Sequence, residues 1–306
     1  VSVATFFSEQ IGALNRRNWN LVAVNLPEAM SGLTLPGMTL IDADAVNRNT
    51  TFPYRLLAHE IAHQWWNAYI EIPRVRDGWL REGLPTYSSL MFLEHAYGTR
   101  MMRQELDRSK RLALSIANPE PLEIGFGMSS REAIYGLNYH KAAVVLHMLR
   151  EIMGRDNFTT LIRALHNLEE DVTTAVFVRH AEEIYAGNLS WFFNAWLRSS
   201  EVPSFHIRYE YKRVEARLPR YELRGVIQQR DAAIRHPVRI QVSLEAAPPL
   251  ETTVWIEPGS TAFNISLPSP PTGLQFDPHG NLLYQNVTIE SPGPFNVARQ
   301  EKRSPR

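Results

Sequence analysis

The chain contains no cysteine among its 306 residues. Disulfide bonds are therefore excluded, and so is any metal site built from thiolates. No apolar run reaches the roughly 18 residues that a membrane-spanning helix needs, so we expect no membrane segment in this chain. Its 32 basic residues balance 32 acidic ones, which gives a net charge of zero. Because a nucleic-acid-binding surface requires a basic surplus, we expect no nucleic-acid partner.

Composition and length favour a globular protein with more than one core. Hydrophobic residues make up 44% of the chain, and 306 residues are enough for two domains. Residues 1–4 include neither an initiator methionine nor a signal-peptide pattern, so we expect a soluble part of a longer polypeptide. Only four of the 32 basic residues are lysine, which suggests a bacterial genome rich in GC. The cellular compartment is not resolved.

Two histidines one helical turn apart give the strongest functional signal. His59 and His63 enclose Glu60, and side chains at i and i+4 lie on the same face of a helix, so both imidazoles can reach one ion. Apolar residues at helical spacing predict this helix, with one face buried. They are Leu57, Ile61, Trp65 and Tyr69. Glu60 points in a different direction from the two histidines, which suits a base beside a metal.

A third ligand, Glu82, follows His63 after eighteen intervening residues. Asp77 and Gly78 predict a turn, and a second helix is predicted to begin at Trp79, with Pro85 near its first turn. Structural zinc sites use four protein ligands, whereas three ligands leave a position open for water. The sequence therefore predicts one catalytic Zn²⁺ ion bound by His59, His63 and Glu82.

The periodicity of the chain changes near residue 200. Helical patterns dominate residues 51–200, including segments 99–116, 129–153 and 158–168, after strand-like runs at 21–24 and 38–41. Alternation of apolar and polar residues over 205–212 and 238–245 then predicts antiparallel strands. We predict a zinc-site domain over 1–202, a small β-sandwich over 203–290 and a flexible tail over 291–306.

Several segments together resemble the M1 family of zinc metallopeptidases, the gluzincin aminopeptidases. Residues 59–66 resemble the zinc helix of the family, and 79–87 resemble its "WLNEGFATY" segment with Arg81 in place of Asn. Residues 139–143 resemble its Tyr-x-Lys-Gly run, with Ala142 in place of Gly, and 189–197 resemble the end of its catalytic domain.

The resemblance implies an α+β fold, with a thermolysin-like, mainly helical zinc-peptidase domain followed by a small antiparallel β-sandwich. It implies a peptide substrate and a zinc-dependent hydrolysis in which Glu60 is the general base. It also implies that the Tyr139 hydroxyl stabilises the oxyanion. No segment resembles the N-terminal β-domain of the family, so we expect an open cleft.

One departure from the family bears on specificity. The family has a Gly-x-Met-Glu-Asn segment whose Glu holds the free amine of the substrate. We align it with Gly37, Met38 and Thr39, which predicts these three as substrate-binding residues. A neutral threonine at that position lacks the charge that binds an ammonium group. We therefore expect endopeptidase-like or relaxed specificity, unless a nearby carboxylate replaces the lost one. The candidates are Glu28, Asp42 and Asp44.

Two other functions stay open at this point. The chain could be a metal-binding, weakly active or inactive peptide-binding module of a larger protein, although such a module has no need of both Glu60 and Tyr139. A metal-dependent epoxide hydrolase has a precedent in the family. For the groups that orient the zinc histidines, the candidates are Asp77, Glu94 and backbone carbonyls.

Overall fold

The computed structural model describes residues 2–14, 18–27, 31–46, 52–215 and 220–290. These residues form two compact units, one up to Ser200 and the other from Glu201 onward. The predicted tail at 291–306 lies outside the described residues. Among the helices that the structure describes, none combines the length and apolar character needed to cross a membrane.

Helices dominate the first unit. They are α1 (Val3–Gln10), α2 (Ala43–Val46), α3 (Phe52–Ala62), α4 (Gly78–Tyr97), α5 (Thr99–Leu114), α6 (Arg131–Ala133), α7 (Ala142–Met153), α8 (Arg155–His166), α9 (Thr174–Tyr185) and α10 (Ser190–Phe193). Short 3₁₀ turns lie at Val75–Asp77 and Leu122–Gly127, and π-helical segments at Ile134–Lys141 and Asn194–Arg198. The predicted helices at 99–116, 129–153 and 158–168 are confirmed with shifted ends.

A small mixed sheet precedes the zinc-motif helix. Its strands are β1 (Asn20–Val24), β2 (Gly32–Leu35) and β3 (Met38–Asp42), in the order β1-β3-β2. β1 runs parallel to β3, and β2 runs antiparallel to it. β3 is therefore central, and β2 is an edge strand that has no strand partner on its outer side among the described residues.

The zinc-motif helix is shorter than its apolar stripe predicts. α3 ends at Ala62, one residue before His63, although the His63 amide still donates to the carbonyl of His59 at 3.3 Å. Trp65 is fully buried and its indole N–H donates to the Gly12 carbonyl, but Tyr69 is 39% exposed. The stripe was thus correct as far as Trp65.

Strands form the second unit. They are β4 (Ser204–Val214), β5 (Arg220–Arg230), β6 (His236–Leu244), β7 (Leu250–Ile256), β8 (Ser260–Leu267), β9 (Pro271–Phe276) and β10 (Val287–Glu290). One sheet has the order β10-β4-β5-β8 and the other β7-β6-β9. The rings of Phe205 in the first sheet and Phe276 in the second lie 4.8 Å apart. The prediction of antiparallel strands is wrong for one pair, because β10 runs parallel to β4.

Lys141 is a buried cation next to the predicted oxyanion donor. It is 1% exposed, and its ammonium group donates to the Ser199 carbonyl at 3.3 Å. Burial lowers its pKa to about 8, because desolvation disfavours the charged form. The unfolded chain therefore holds more protons than the folded chain between about pH 8 and pH 10.5, and stability due to this group rises with pH there.

We predict that Lys141→Met abolishes this pH dependence. Relative to the variant, the wild type should gain about 3 kcal/mol in unfolding free energy between pH 8 and pH 10.5. Urea unfolding of both proteins at several pH values measures the difference. A constant difference across this range would contradict the prediction.

Candidate metal centre

Two helices and one turn bring the three predicted metal ligands together. His59 lies in the last turn of α3, His63 directly after that helix, and Glu82 near the beginning of α4. The two histidine Nε2 atoms are 3.2 Å apart, and Glu82 Oε2 lies 3.6 Å from His59 Nε2 and 3.3 Å from His63 Nε2. Among the residues described, no other group of three His, Asp or Glu side chains could share an ion.

These distances fit a tetrahedral metal. Bonds of about 2.0–2.1 Å from zinc to nitrogen and oxygen require ligand atoms about 3.3–3.5 Å apart at tetrahedral angles. Glu82 Oε2 is buried and forms no hydrogen bond with any described residue, as expected of an atom whose partner is an ion. The donor set of two imidazoles and one carboxylate therefore fits zinc.

The electrostatics of the group keep the carboxylate charged. Burial raises the pKa of Glu82, but the imidazoles of His63 and His59 outweigh burial and lower it to about 2. Burial lowers the pKa of His63, and the carboxylates of Glu82 and Glu60 more than offset this, so the net change is upward. A cation of any kind is thus favoured at this position.

Thr86 orients the first histidine. Its hydroxyl donates to the carbonyl of Glu82 at 2.7 Å, which leaves the hydroxyl oxygen to accept from His59 Nδ1–H at 3.2 Å. Since the proton then lies on Nδ1, the Nε2 lone pair is directed to the metal position. Sequence reasoning proposed acids and backbone carbonyls for this role, and not the Thr86 hydroxyl.

Asn67 lies beside the second histidine and is anchored there through a proline. Pro85 is an interior residue of the 20-residue helix α4, not a first-turn residue as predicted. A proline has no N–H, so the carbonyl of Arg81 four residues earlier lacks its helical donor. Asn67 Nδ2 donates to that carbonyl at 3.0 Å and lies 2.9 Å from His63 Nδ1. The helix interruption thus anchors the residue that contacts His63.

The two acids proposed for this role lie elsewhere. Asp77 accepts hydrogen bonds from the amide and the hydroxyl of Thr174, at 2.9 and 2.6 Å. Glu94 pairs with Arg150 at 2.9 Å and also with Arg155. Both carboxylates therefore stabilise helix contacts away from the histidines.

We predict that Thr86→Val weakens zinc binding about 10- to 100-fold, as is typical when a group that orients a metal ligand is removed. Valine keeps the shape of the side chain but has no hydroxyl to accept from His59 Nδ1–H. Competition with a calibrated chelator measures the affinity. Unchanged affinity would show that Thr86 does not position His59.

Glu60 is held against the edge strand β2. The Thr34 hydroxyl donates to the Glu60 carbonyl at 2.8 Å and lies 3.3 Å from the Glu60 carboxylate. Gly32 adjoins the same side chain, since a Cβ at this position would lie 2.2 Å from Glu60 Cδ. A larger residue at 32 would displace the carboxylate. Glu60 itself is 7% exposed.

Tyr139 reaches the metal centre from a π-helical segment, a geometry often found at functional sites. Its ring stacks on that of His59, with centroids 5.7 Å apart and an interplanar angle of 22°. Burial first, and then the carboxylates of Glu82 and Glu60, raise the pKa of Tyr139 above its usual value. The hydroxyl therefore stays protonated and can donate a hydrogen bond.

Gly83 leaves room for the methyl group of Ala142, where the family has glycine. A Cβ on Gly83 would lie 2.7 Å from the Cβ of Ala142, so the helix that carries Glu82 approaches closely there. One small residue on each side of this contact allows the approach.

The structure does not bring Gly37, Met38 and Thr39 into the cleft beside the metal centre, which has a volume of about 420 Å³. Thr39 is fully buried, and its hydroxyl accepts from Gln64 Nε2 at 3.0 Å, while Met38 is 39% exposed. The cleft wall consists of residues 31–34 instead, because β2 is the edge strand and β3 is central. This is a correction to the predicted substrate-binding residues.

The suggested substitutes for an amine anchor do not line the cleft either. Asp42 accepts from the amides of Leu26 and Ala45, at 3.3 and 3.0 Å, and Asp44 lies on α2. Glu28 lies outside the described residues. Among the described residues that line the cleft, the carboxylates are Glu60 and Glu82.

Four further residues line the cleft wall. They are Arg55, Arg81, Tyr135 and His140. His140 is 1% exposed, with Nδ1 3.1 Å from the Ser109 hydroxyl. Burial, with the charges of Arg55 and Arg108, lowers its pKa to about 3, so it is a neutral imidazole.

Comparison with known families identifies the family of this chain. Residues 31–196, more than half of the chain, match the model of the Peptidase family M1 domain. The chain belongs to peptidase family M1. The predicted resemblance is thereby confirmed.

Individual M1 relatives match a part of the chain. Endoplasmic reticulum aminopeptidase 2 of Bos taurus is 27% identical over 109 residues, which are 34% of this chain and 11% of the relative. Endoplasmic reticulum aminopeptidase 1 of Homo sapiens is 29% identical over 112 residues, which are 33% of this chain and 11% of that protein. The matches therefore span a small share of the relatives' length.

Two solved structures share the fold. Aminopeptidase A of Legionella pneumophila, in complex with aspartic acid, has a TM-score of 0.75 and 17% identity, covering 94% of this chain and 34% of that one. A mutant M1 zinc metallopeptidase of Deinococcus radiodurans, bound to a Tyr-Ser-Ala substrate, has a TM-score of 0.53 and 21% identity. It covers 65% of this chain and 43% of that one. The α+β, M1-type fold is thus established.

Proposed function

We propose that this chain is a zinc-dependent peptidase that hydrolyses peptide bonds by means of an activated water molecule. The observation that carries the proposal is a single cleft in which three metal-ligating side chains lie beside a carboxylate and a tyrosine hydroxyl. These are His59, His63 and Glu82, with Glu60 and Tyr139 next to them. Membership of family M1 supports the same conclusion.

The proposed mechanism assigns one task to each residue. One zinc ion bound by the three ligands would act as a Lewis acid and lower the pKa of water. Glu60 takes a proton from the attacking water at its carboxylate and then gives it to the leaving amine. Tyr139 donates a hydrogen bond to the carbonyl oxygen of the scissile bond as negative charge develops there.

We further propose that hydrolysis does not require a free amino terminus. Glu60 and Glu82 are the cleft carboxylates among the described residues, and both have tasks at the metal centre. Residues 31–34 offer hydroxyls and backbone groups, which can pair with an extended peptide but supply no charge for an ammonium group.

Peptides of one sequence, made with free and with acetylated amino termini, test both statements. The zinc-loaded protein should cleave both forms at similar rates, and a chelator should abolish cleavage of both. Strict dependence on the free amine would overturn the second statement and leave the first. The aminopeptidases among its M1 relatives make that the natural alternative.

An inactive peptide-binding module is less well supported than a peptidase, since such a module has no use for both Glu60 and Tyr139.

For the organisation of the chain, we propose domain limits of 1–202 and 203–290. We also propose a thermolysin-like arrangement of the first domain and a β-sandwich for the second. The fold likeness to aminopeptidase A of Legionella pneumophila supports these finer assignments.

A further inference from the structure

Arg81 places a cation at the mouth of the cleft. Its side chain is exposed and lines the cleft one residue before the metal ligand Glu82. Its guanidinium forms no ion pair with any acidic side chain among the described residues. Within the described part of the fold, the positive charge of Arg81 is therefore not neutralised by an acidic side chain.

Neighbouring residues hold this guanidinium in position. Its central carbon lies 5.8 Å from the centroid of the Phe126 ring, a distance at which a cation and an aromatic face attract each other. Phe126 can lie there because Gly78, one turn earlier on α4, has no Cβ; such an atom would lie 2.9 Å from Phe126 Cδ2. The side chain is thus partly ordered before a ligand binds.

The remaining charges of the cleft do not neutralise Arg81. Glu82 is paired with the two histidines, and Glu60 is held by Thr34. Arg55 adds a second cation to the lining; its Nε lies 3.4 Å from the Glu105 carboxylate. His140 is neutral, as its lowered pKa indicates. A ligand that carries negative charge is favoured here.

We propose that the cleft selects peptides with a carboxylate near the scissile bond, and that Arg81 is the residue that binds it. This inference rests on the proposed peptidase function and adds the substrate class. The carboxylate is either the side chain of an acidic residue or the carboxyl terminus of a short peptide. Arginine matches both, because its planar N–H fork bonds two carboxylate oxygens.

The test uses quenched fluorescent peptides that differ only by Glu or Gln at one position on either side of the cleaved bond. Each is made as a free acid and as a carboxyl-terminal amide. The proteins are the wild type, Arg81→Asn and Arg81→Glu. The control is Arg100→Asn, which removes an exposed arginine on α5 that does not line the cleft.

At low ionic strength, the wild type should favour the carboxylate-bearing peptide by about fivefold in kcat/KM, the scale of an exposed ion pair. The preference should fall at about 0.5 M salt, because screening weakens exposed charges. It should disappear in Arg81→Asn, reverse in Arg81→Glu and persist in Arg100→Asn. A preference for Glu in the amidated series identifies a side-chain carboxylate, and a preference for free acid over amide identifies the terminus.

Equal hydrolysis of all the matched peptides by the wild type would overturn the proposal, and so would a preference that Arg81→Asn retains. Failure of the peptidase function is a separate result, namely no hydrolysis of any peptide by the zinc-loaded wild type. Binding then decides the question of Arg81. Fluorescence anisotropy of the same peptides with Glu60→Gln, and with Arg81→Asn in that background, measures the affinity ratio without turnover.

Discussion

Glu60→Gln should lower kcat/KM for peptide hydrolysis by about 100- to 10,000-fold, the usual contribution of a positioned general base. Glutamine keeps the size and the polarity of the side chain but cannot take up the proton of the attacking water. Steady-state kinetics on a peptide that the wild type cleaves measures the effect.

Zinc content distinguishes the loss of the general base from the loss of the metal site. The three metal-ligating side chains are unchanged in Glu60→Gln, and the Thr34 hydroxyl still has the carbonyl of residue 60 as an acceptor. Metal analysis should therefore find as much zinc in the variant as in the wild type. Glu71→Gln, at an exposed position outside the cleft, is the matched control and should behave as the wild type does.

The same variant distinguishes the peptidase from a peptide-binding module. A binding module would retain its affinity for peptides and would have no activity to lose. Full activity in Glu60→Gln, with zinc bound, would show that a different group accepts the proton.

The three metal ligands could be predicted from the sequence because they lie close together along the chain. His59 and His63 are one helical turn apart, so helix geometry alone places both imidazoles on one side. Glu82 needed one further inference, namely a second helix after the turn at Asp77 and Gly78. The structure has that helix, and it brings all three donor atoms within 4.8 Å of one another.

The groups that contact the two histidines could not be read from the sequence because they depend on tertiary contacts. Asn67 is held beside His63 because Pro85, eighteen residues later, leaves the Arg81 carbonyl without a helical donor. The Thr86 hydroxyl accepts a hydrogen bond as a carboxylate would, but an uncharged threonine does not stand out in the sequence as an acidic residue does.

The substrate strand was assigned to the wrong segment for a related reason. β2 and β3 have similar short apolar patterns, and periodicity cannot tell an edge strand from a central one. Pairing of β1 with β3 on the side opposite to β2 makes β3 central. The parallel pair of β10 and β4 was missed similarly, since alternation specifies burial and not direction.

Tyr139→Phe should lower kcat by about 100- to 1,000-fold with little change in KM. This is the usual loss when one oxyanion donor is removed. The hydroxyl would bond an oxygen that becomes negative only during the reaction, so substrate binding should be largely unaffected. Phenylalanine retains the ring, and with it the stacking on His59.

Tyr135→Phe is the matched control, since it removes a hydroxyl from the same π-helical segment, on a ring 5.4 Å from that of Tyr139. It should change kcat far less than Tyr139→Phe does. An equal loss in both variants would mean that the hydroxyls act through the packing of the segment and not through the oxyanion.

The pH profile adds an independent check on Tyr139. Burial and the neighbouring carboxylates raise its pKa, so the phenol stays neutral above the usual value of about 10. Wild-type kcat should therefore show no decrease that is due to this group below that pH. A decrease near pH 10 in the wild type that Tyr139→Phe abolishes would mean that the hydroxyl ionises in the working enzyme. It would contradict the raised pKa and leave the donor role at neutral pH in place.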